Sequence, residues 1–408
     1  MSDTTAPGIS RRRYLSGIGV AGTVGLAGCL SGIRNGGGES SSTFKYGTVG
    51  SESANGMGNV DPYGAWTLAD RLAEKSDGDV KMDIIGDSQV CGESDCIGKI
   101  RNDIVQAGTT SVGNTTKFSP ENNIWALPYL FPPDNRAALS YGIFSETAWK
   151  RFWVPFAKQY NYVPFIGYPA QHRVIHIGQS GAKQVDGERV TTPDQIEGMD
   201  IRRTVSRIPA KAITEWGGTP VKVSWGDAIQ GLKSGLIGGM ETWLTNVAAY
   251  GMLPSLDQTV LNNWSLGIEM SWANVDWLKS LSDEHRSLVA QESERVTEEL
   301  VHNTEEVIAD RAGAVQEPPE GTDYGKSNIK VNVPSESELE QWKDATAYKR
   351  NSDLYSKTFE QAGTLLGGPD AARDFVDSIY ELTRSSSAPE STADFTLTSW
   401  WDDHLDEI

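Results

Sequence analysis

The sequence predicts a two-lobed α/β fold built on mostly parallel sheets, and three observations carry that expectation. Strand-like and helix-like segments alternate from residue 44 onward, the pattern of open parallel sheets flanked by helices. A second set of the same alternation begins near residue 198, which argues for a second lobe. The chain has 408 residues, 38% hydrophobic and 22% charged, enough for two ordinary cores and too apolar for a disordered chain.

Phe44-Lys45-Tyr46-Gly47-Thr48-Val49 alternates as a strand does, and the Gly/Ser/Asn-rich loop from Gly50 to Asn59 is long enough to line a cleft. Trp66, Leu68, Ala69, Leu72 and Ala73 recur at helical spacing, Asp77-Gly78-Asp79 ends that helix, and Val80 to Ile85 is the next strand. Ile97, Ile100, Ile104 and Val105 predict a helix, and Thr109 to Gly113 a strand of small and β-branched residues. In the later set Gly198 to Arg203 and Thr219 to Val223 read as strands, Ile208 to Trp216 and Trp225 to Ser234 as helices. Apolar positions between Ser282 and Ala314 keep to one face, which predicts a single long helix bridging the lobes.

Ser10-Arg11-Arg12-Arg13-Tyr14-Leu15 is a twin-arginine pattern, and the weakly apolar run behind it is too short to span a bilayer. It predicts export. Leu26-Ala27-Gly28-Cys29 resembles a lipobox in which Cys29 receives a lipid, and the Gly/Ser-rich stretch after it reads as a flexible tether. The expected organisation is a signal over 1–28, a lipid-anchored linker over 29–43, a first lobe from 44–170 plus about 268–308, a second from 171–267 plus about 309–384, and an acidic C-terminal tail over 385–408.

The 55 acidic residues outnumber the 36 basic ones for a net charge of −19. No basic stripe is left to neutralise phosphates, so nucleic acid is not an expected partner. The excess carboxylate fits a surface adapted to high salt, where self-repulsion is screened.

Catalytic constellations are scarce. His172 and His176 have the spacing of a metal pair, but Arg173-Val174-Ile175 between them reads as strand and sets a cation there, and no HExxH glutamate accompanies them. They read as structural or polar-lining histidines, and neither metal nor cofactor is expected. Gly17 to Gly22 fits the dinucleotide pattern without a preceding strand, and Gly92 to Ile100 fails the phosphate-loop spacing. No Gly-x-Ser-x-Gly elbow is present. Cys91 and Cys96 read either as a small disulfide loop or as two separate thiols. Asn114-Thr115-Thr116 and Asn263-Trp264-Ser265 match the glycosylation acceptor, a pattern too common to carry weight.

An ordered series of segments resembles the solute receptors of TRAP (tripartite ATP-independent periplasmic) transporters, the DctP-like proteins, over most of Phe44 to about Thr383. Gly86-Asp87-Ser88-Gln89-Val90 is similar to a short family turn, and Ala126 to Phe131 to its "LPFLF" segment. Thr192 to Arg202 is similar to the segment ending "GlKiR", and Gly217 to Val221 and Gly226 to Glu241 follow in family order. The resemblance implies a periplasmic-binding-protein-like fold with a ligand cleft between the lobes. It also implies that Arg202 binds the ligand carboxylate, a role suited to a planar guanidinium with two parallel donors. Arg203, next along the strand, should face the other way.

Arg173 looks like a second family arginine near the ligand, although more residues separate it from Arg202 than in the commoner pattern. Thr242 and Trp243 stand where the family commonly has Asn and Pro, which alters the polar part of the site. Asn114 and Glu93 complete the candidate ligand-binding set. The implied partners are a small organic carboxylate, the small and large TRAP membrane subunits, and the membrane itself through the lipid at Cys29. The implied action is binding rather than chemistry. Rival readings are the receptor of an ATP-driven transporter, a sensor ectodomain or, in a different class, an exported hydrolase working with paired carboxylates.

Overall fold

The computed structural model describes residues 42–50, 60–167, 171–267 and 269–408. The twin-arginine segment, Cys29, nearly all of the linker and residues 51–59 lie outside the described residues. The first sheet takes β1 (Ser42–Gly47), β2 (Val80–Ile85), β3 (Ala107–Thr109) and β4 (Tyr162–Gly167). The second takes β5 (Gln171–Gly178), β6 (Asp200–Arg203), β7 (Thr219–Lys222), β8 (Gly239–Trp243) and β9 (Leu256–Gly267). The chain then returns to the first sheet with β10 (Met270–Asn274) and later to the second with β11 (Lys330–Asn332). Strand order is β2-β1-β3-β10-β4 in one sheet and β11-β9-β5-β8-β6-β7 in the other.

The first two crossings between sheets are neighbours. Gly167 of β4 pairs with Met270 of β10, and Gln171 of β5 pairs with Gly267 of β9. Two antiparallel runs of chain therefore join the lobes here, and the chain crosses twice more, after His302 and after Thr346. A connection that leaves and comes back side by side must place one reversed strand in each sheet: β10 runs against β3 and β4, and β5 against β8 and β9. Sheets expected to be mostly parallel are thus mixed, with the reversed strand in the interior of each. Every residue of β4 and β5 is buried, as befits strands covered on both faces.

Helices fall close to the predicted segments, at Val60–Lys75, Cys96–Arg101, Arg207–Glu215 and Ala228–Ser234. The strand expected through Gly113 stops at Thr109. Thr110 makes the last ladder bond, its N–H to the Met270 carbonyl at 3.1 Å, and the Ser111 carbonyl then accepts from Asn114 and Thr115 at 2.9 and 3.2 Å, opening a helical turn. The loop after β2 is closed by a Cys91–Cys96 disulfide with Cα atoms 4.6 Å apart. It lies directly on β1 and β3: a Cβ at Gly47 would sit 2.3 Å from Cys91 Sγ, and one at Gly108 2.7 Å from Cys96 Sγ. Only glycine admits the bridge at those two positions.

The long helix starts at Asp283, where the Ser282 hydroxyl accepts the His285 N–H, and ends at His302. It packs along the first lobe, with Arg71–Glu299 and Lys75–Glu292 ion pairs at 2.6 and 2.5 Å. The single helix expected to Ala314 is broken after His302. A short turn at Thr304–Glu306 and a wider π-helical turn at Val307–Ala312 follow, and Ile308, Ala312 and Ala314 enter the core of the second lobe beside Val174 and Met240.

Residues after this junction do not all stay with the second lobe, as the expected boundary at 384 required. Glu336–Thr346 does, through Trp342 against Trp216 at 5.0 Å. The helices Ser356–Leu366 and Pro369–Leu382 instead join the first lobe, where Phe375 meets Trp125 and Phe152 at 5.6 and 5.8 Å. The acidic segment 385–408 is docked as well. The indole N–H groups of Trp400 and Trp401 both donate to Ser293 Oγ, at 2.9 and 3.2 Å, and His404 stacks on Trp149 at 5.3 Å. Its charge count conceals an apolar anchor.

Replacing both Cys91 and Cys96 by Ala is expected to lower unfolding free energy by about 2 kcal/mol, the loop-closure entropy of so short a loop. An unchanged denaturation midpoint at molar salt would contradict this. His172 and His176 are held neutral inside β5, where burial, aided by nearby arginines, pulls each down to about 3. The unfolded chain takes up these protons below about pH 6.5 and the fold does not. Their contribution is therefore intact above that pH and is lost as pH falls toward 3, at up to about 1.4 kcal/mol per pH unit for each histidine. Equilibrium unfolding of His176→Gln should show a shallower loss across this window than the unsubstituted protein; equal slopes would refute it.

Candidate functional site

The site forms where β5, β6 and β8 of the second sheet face the disulfide loop and the turn after β3. Register sets its floor: Arg173 of β5 lies opposite Trp243 of β8, with Val174 opposite Thr242 and Ile175 opposite Glu241, and Arg202 of β6 lies beside Met240. Strand alternation separates the adjacent arginines. Arg202 is 4% exposed, while Arg203 is half-buried and donates to the carbonyl of Thr204 at 2.9 Å.

The two buried arginines are held differently. Arg173 donates through Nε to the Glu241 carboxylate and through Nη2 to the Glu241 carbonyl at 3.2 Å. The other Glu241 oxygen accepts the Thr204 N–H at 3.1 Å. A buried charge needs a partner of this kind, and removing one member commonly costs 3–5 kcal/mol. Arg202 donates only through Nε, to the Val223 carbonyl at 3.0 Å, and its guanidinium lies 5.4 Å from the Trp225 ring. Its two terminal nitrogens make no hydrogen bond among the described residues, so the bidentate face of the fork is open to the pocket. Burial lowers the Arg202 pKa to about 10, with Glu241 and Glu93 opposing and Arg173 reinforcing the shift; it is cationic at neutral pH.

Glu93, inside the disulfide loop, supplies the opposite wall. One oxygen accepts from Asn114 Nδ2 at 2.8 Å, Thr110 Oγ1 at 3.3 Å and the Ser111 N–H at 3.5 Å. Burial pushes its carboxyl above the ordinary range, while the Asn114, Ser111 and Thr110 bonds and the Arg202 charge pull it back.

Glu93, Asn114, Arg173, Arg202, Thr242 and Trp243, the six residues chosen from sequence, line one narrow pocket of about 30 Å³. Trp243 is both pocket wall and packing, its ring 5.2 Å from Arg173. Ser111, Thr204, Trp225, Asn246, Tyr250 and Glu269 complete the lining, and a wider cleft of about 630 Å³ adjoins it through Arg202, Trp225 and Tyr250. These six, and Glu241 beneath them, were not singled out from sequence. Glu241 had one available signal, an acid in an otherwise apolar strand that must be paired if buried. Among the described residues no cluster of His, Cys, Asp and Glu suits a metal ion, and no helix is long and apolar enough to cross a membrane.

A family model for bacterial extracellular solute-binding proteins, family 7 (DctP), matches residues 62–352. The ectoine-binding periplasmic protein TeaA of Halomonas elongata is 28% identical over 239 residues, 57% of this chain and 64% of that protein, just under two thirds of its length. The C4-dicarboxylate-binding protein DctB of Bacillus subtilis is 22% identical over 322 residues, 78% of this chain and 81% of that protein. A solved TRAP periplasmic solute-binding protein from Sulfurospirillum deleyianum with bound succinate aligns with a TM-score of 0.66 at 16% identity, over 83% of this chain and 98% of that one. At such identity the likeness concerns the fold. With the family model spanning well over half the chain, the protein belongs to the DctP family of bacterial extracellular solute-binding proteins.

Proposed function

We propose that the protein captures a small organic carboxylate outside the cytoplasm and presents it to the small and large membrane subunits of a TRAP transporter, without chemical change to the solute. The open terminal fork of Arg202 is the observation that carries this reading. A guanidinium with both parallel donors unspent, at the edge of a cleft of about 630 Å³, is built for a carboxylate. Closure of one lobe on the other about the segments that join them is the motion this reading assigns to the protein. Closing expels water and strengthens the Arg202 contact. Relatives whose names specify ectoine, C4-dicarboxylates and succinate support the solute class. The twin-arginine segment and the lipobox-like run before Cys29 support export and lipid anchoring to the outer face of the cytoplasmic membrane.

Arg202→Ala should weaken carboxylate binding by about 2–5 kcal/mol, at least roughly thirtyfold in Kd, with the ligand-free melting temperature nearly unchanged. Calorimetry and thermal shift at molar salt read both quantities, and recovery of labelled ligand unaltered reports the absence of turnover. Wild-type affinity in the variant would overturn the assignment. Cys29→Ser should move the protein from the membrane pellet to the soluble fraction; a variant that still sediments with membranes would rule out the anchor.

A further inference from the structure

We infer that the ligand carries a positive charge as well as its carboxylate, and that Glu93 is the residue that selects for it. This rests on the carboxylate reading and deepens it. The charge balance of the pocket is the starting point. Arg173 is tied to Glu241 and contributes no net charge. Within this pocket Arg202 is then the cation left for a ligand, and the Glu93 carboxylate lines the same pocket.

A dianion would use Arg202 for one carboxylate and set the other toward the Glu93 carboxylate. Like charges brought together out of water repel strongly. A plain monoanion would satisfy Arg202 and leave Glu93 facing it across the cleft without a counterpart when water is expelled. A zwitterion answers both groups at once, one from each lobe.

Glu93 is built as a presenting group. All its side-chain hydrogen bonds converge on one oxygen, from Thr110, Ser111 and Asn114, and the other oxygen has no partner among the described residues. The loop that carries it, Cys91 to Cys96, is closed by the disulfide and seated on the glycines of β1 and β3. A carboxylate fixed in this way needs little ordering when a donor arrives, which favours affinity. The Trp225, Trp243 and Tyr250 rings add faces that suit an alkylammonium or amidinium body.

Three compounds of similar length isolate the effect: glutarate with two carboxylates, 4-aminobutyrate with a carboxylate and an ammonium, and butyrate with a carboxylate alone. Ectoine and glycine betaine extend the zwitterionic arm to a ring amidinium and to a cation without N–H donors. Titration calorimetry of the full exported protein at molar salt should show a zwitterion binding at least about tenfold tighter than glutarate. In Glu93→Gln the ratio of zwitterion to butyrate affinity should fall at least about tenfold. Preference for glutarate, failure of every zwitterion to bind, or an unchanged ratio in Glu93→Gln would overturn the inference. The first of these needs no variant. Loss of the charge preference with carboxylate binding still abolished by Arg202→Ala would sink this inference alone, whereas binding indifferent to Arg202→Ala would sink the carboxylate reading.

Discussion

The chain passes from one sheet to the other and back along adjacent strands, and most of the architecture follows from that constraint. Because Gly167 pairs with Met270 and Gln171 with Gly267, the outgoing and returning runs hold each other in register on both sides of the junction. Each sheet must then accept one strand of opposite sense. In the second sheet that strand is β5, which places Arg173 between β8 and β9 and opposite the Trp243 end of β8. The same pairing that joins the lobes thus aims a cation at the cleft.

Burying that cation is tolerable only because of Glu241. Its two oxygens hold the Arg173 side chain and the Thr204 backbone, so one acid links β5, β8 and the segment leaving β6, the strand of Arg202. The pocket floor is a charge network whose internal demand is met, over which the Arg202 guanidinium has no carboxylate partner among the described residues. Arg202 keeps its position through a carbonyl and an indole face rather than through a carboxylate, which leaves its strongest donors unspent. Two arginines on the strands flanking β8 differ in role because only one was given an acid.

Much of this was legible in the sequence, and the divide between what was and what was not is physical. Local periodicity placed β2 and the helix at Val60–Lys75 closely, because both signals lie within one element. The residues of the pocket that sit in recognisable strings, Arg202, Thr242 and Trp243, could be named from those strings. Glu269, Trp225 and Tyr250 could not, since they reach the pocket only through a long-range strand arrangement that no local window encodes. The reversal of β10 was hidden for the same reason. Residues 385–408 were legible only as an acidic tail, docked or not, because composition averages over position; Trp400 and Trp401 are 1% and 0% exposed.

Those two tryptophans bear on when the first lobe can be completed. Their shared acceptor, Ser293, precedes Trp400 by 107 residues, and the helix it belongs to packs on strands made earlier still. During synthesis the first lobe therefore waits, with part of the long helix uncovered, until the rest of the second lobe and two further helices have emerged from the ribosome. Contacts of such sequence separation are slow to form, and an incompletely covered core is the species that aggregates. For a nascent chain of this design, holding the uncovered helix away from other chains for the time taken to make those residues is part of the problem of folding at all.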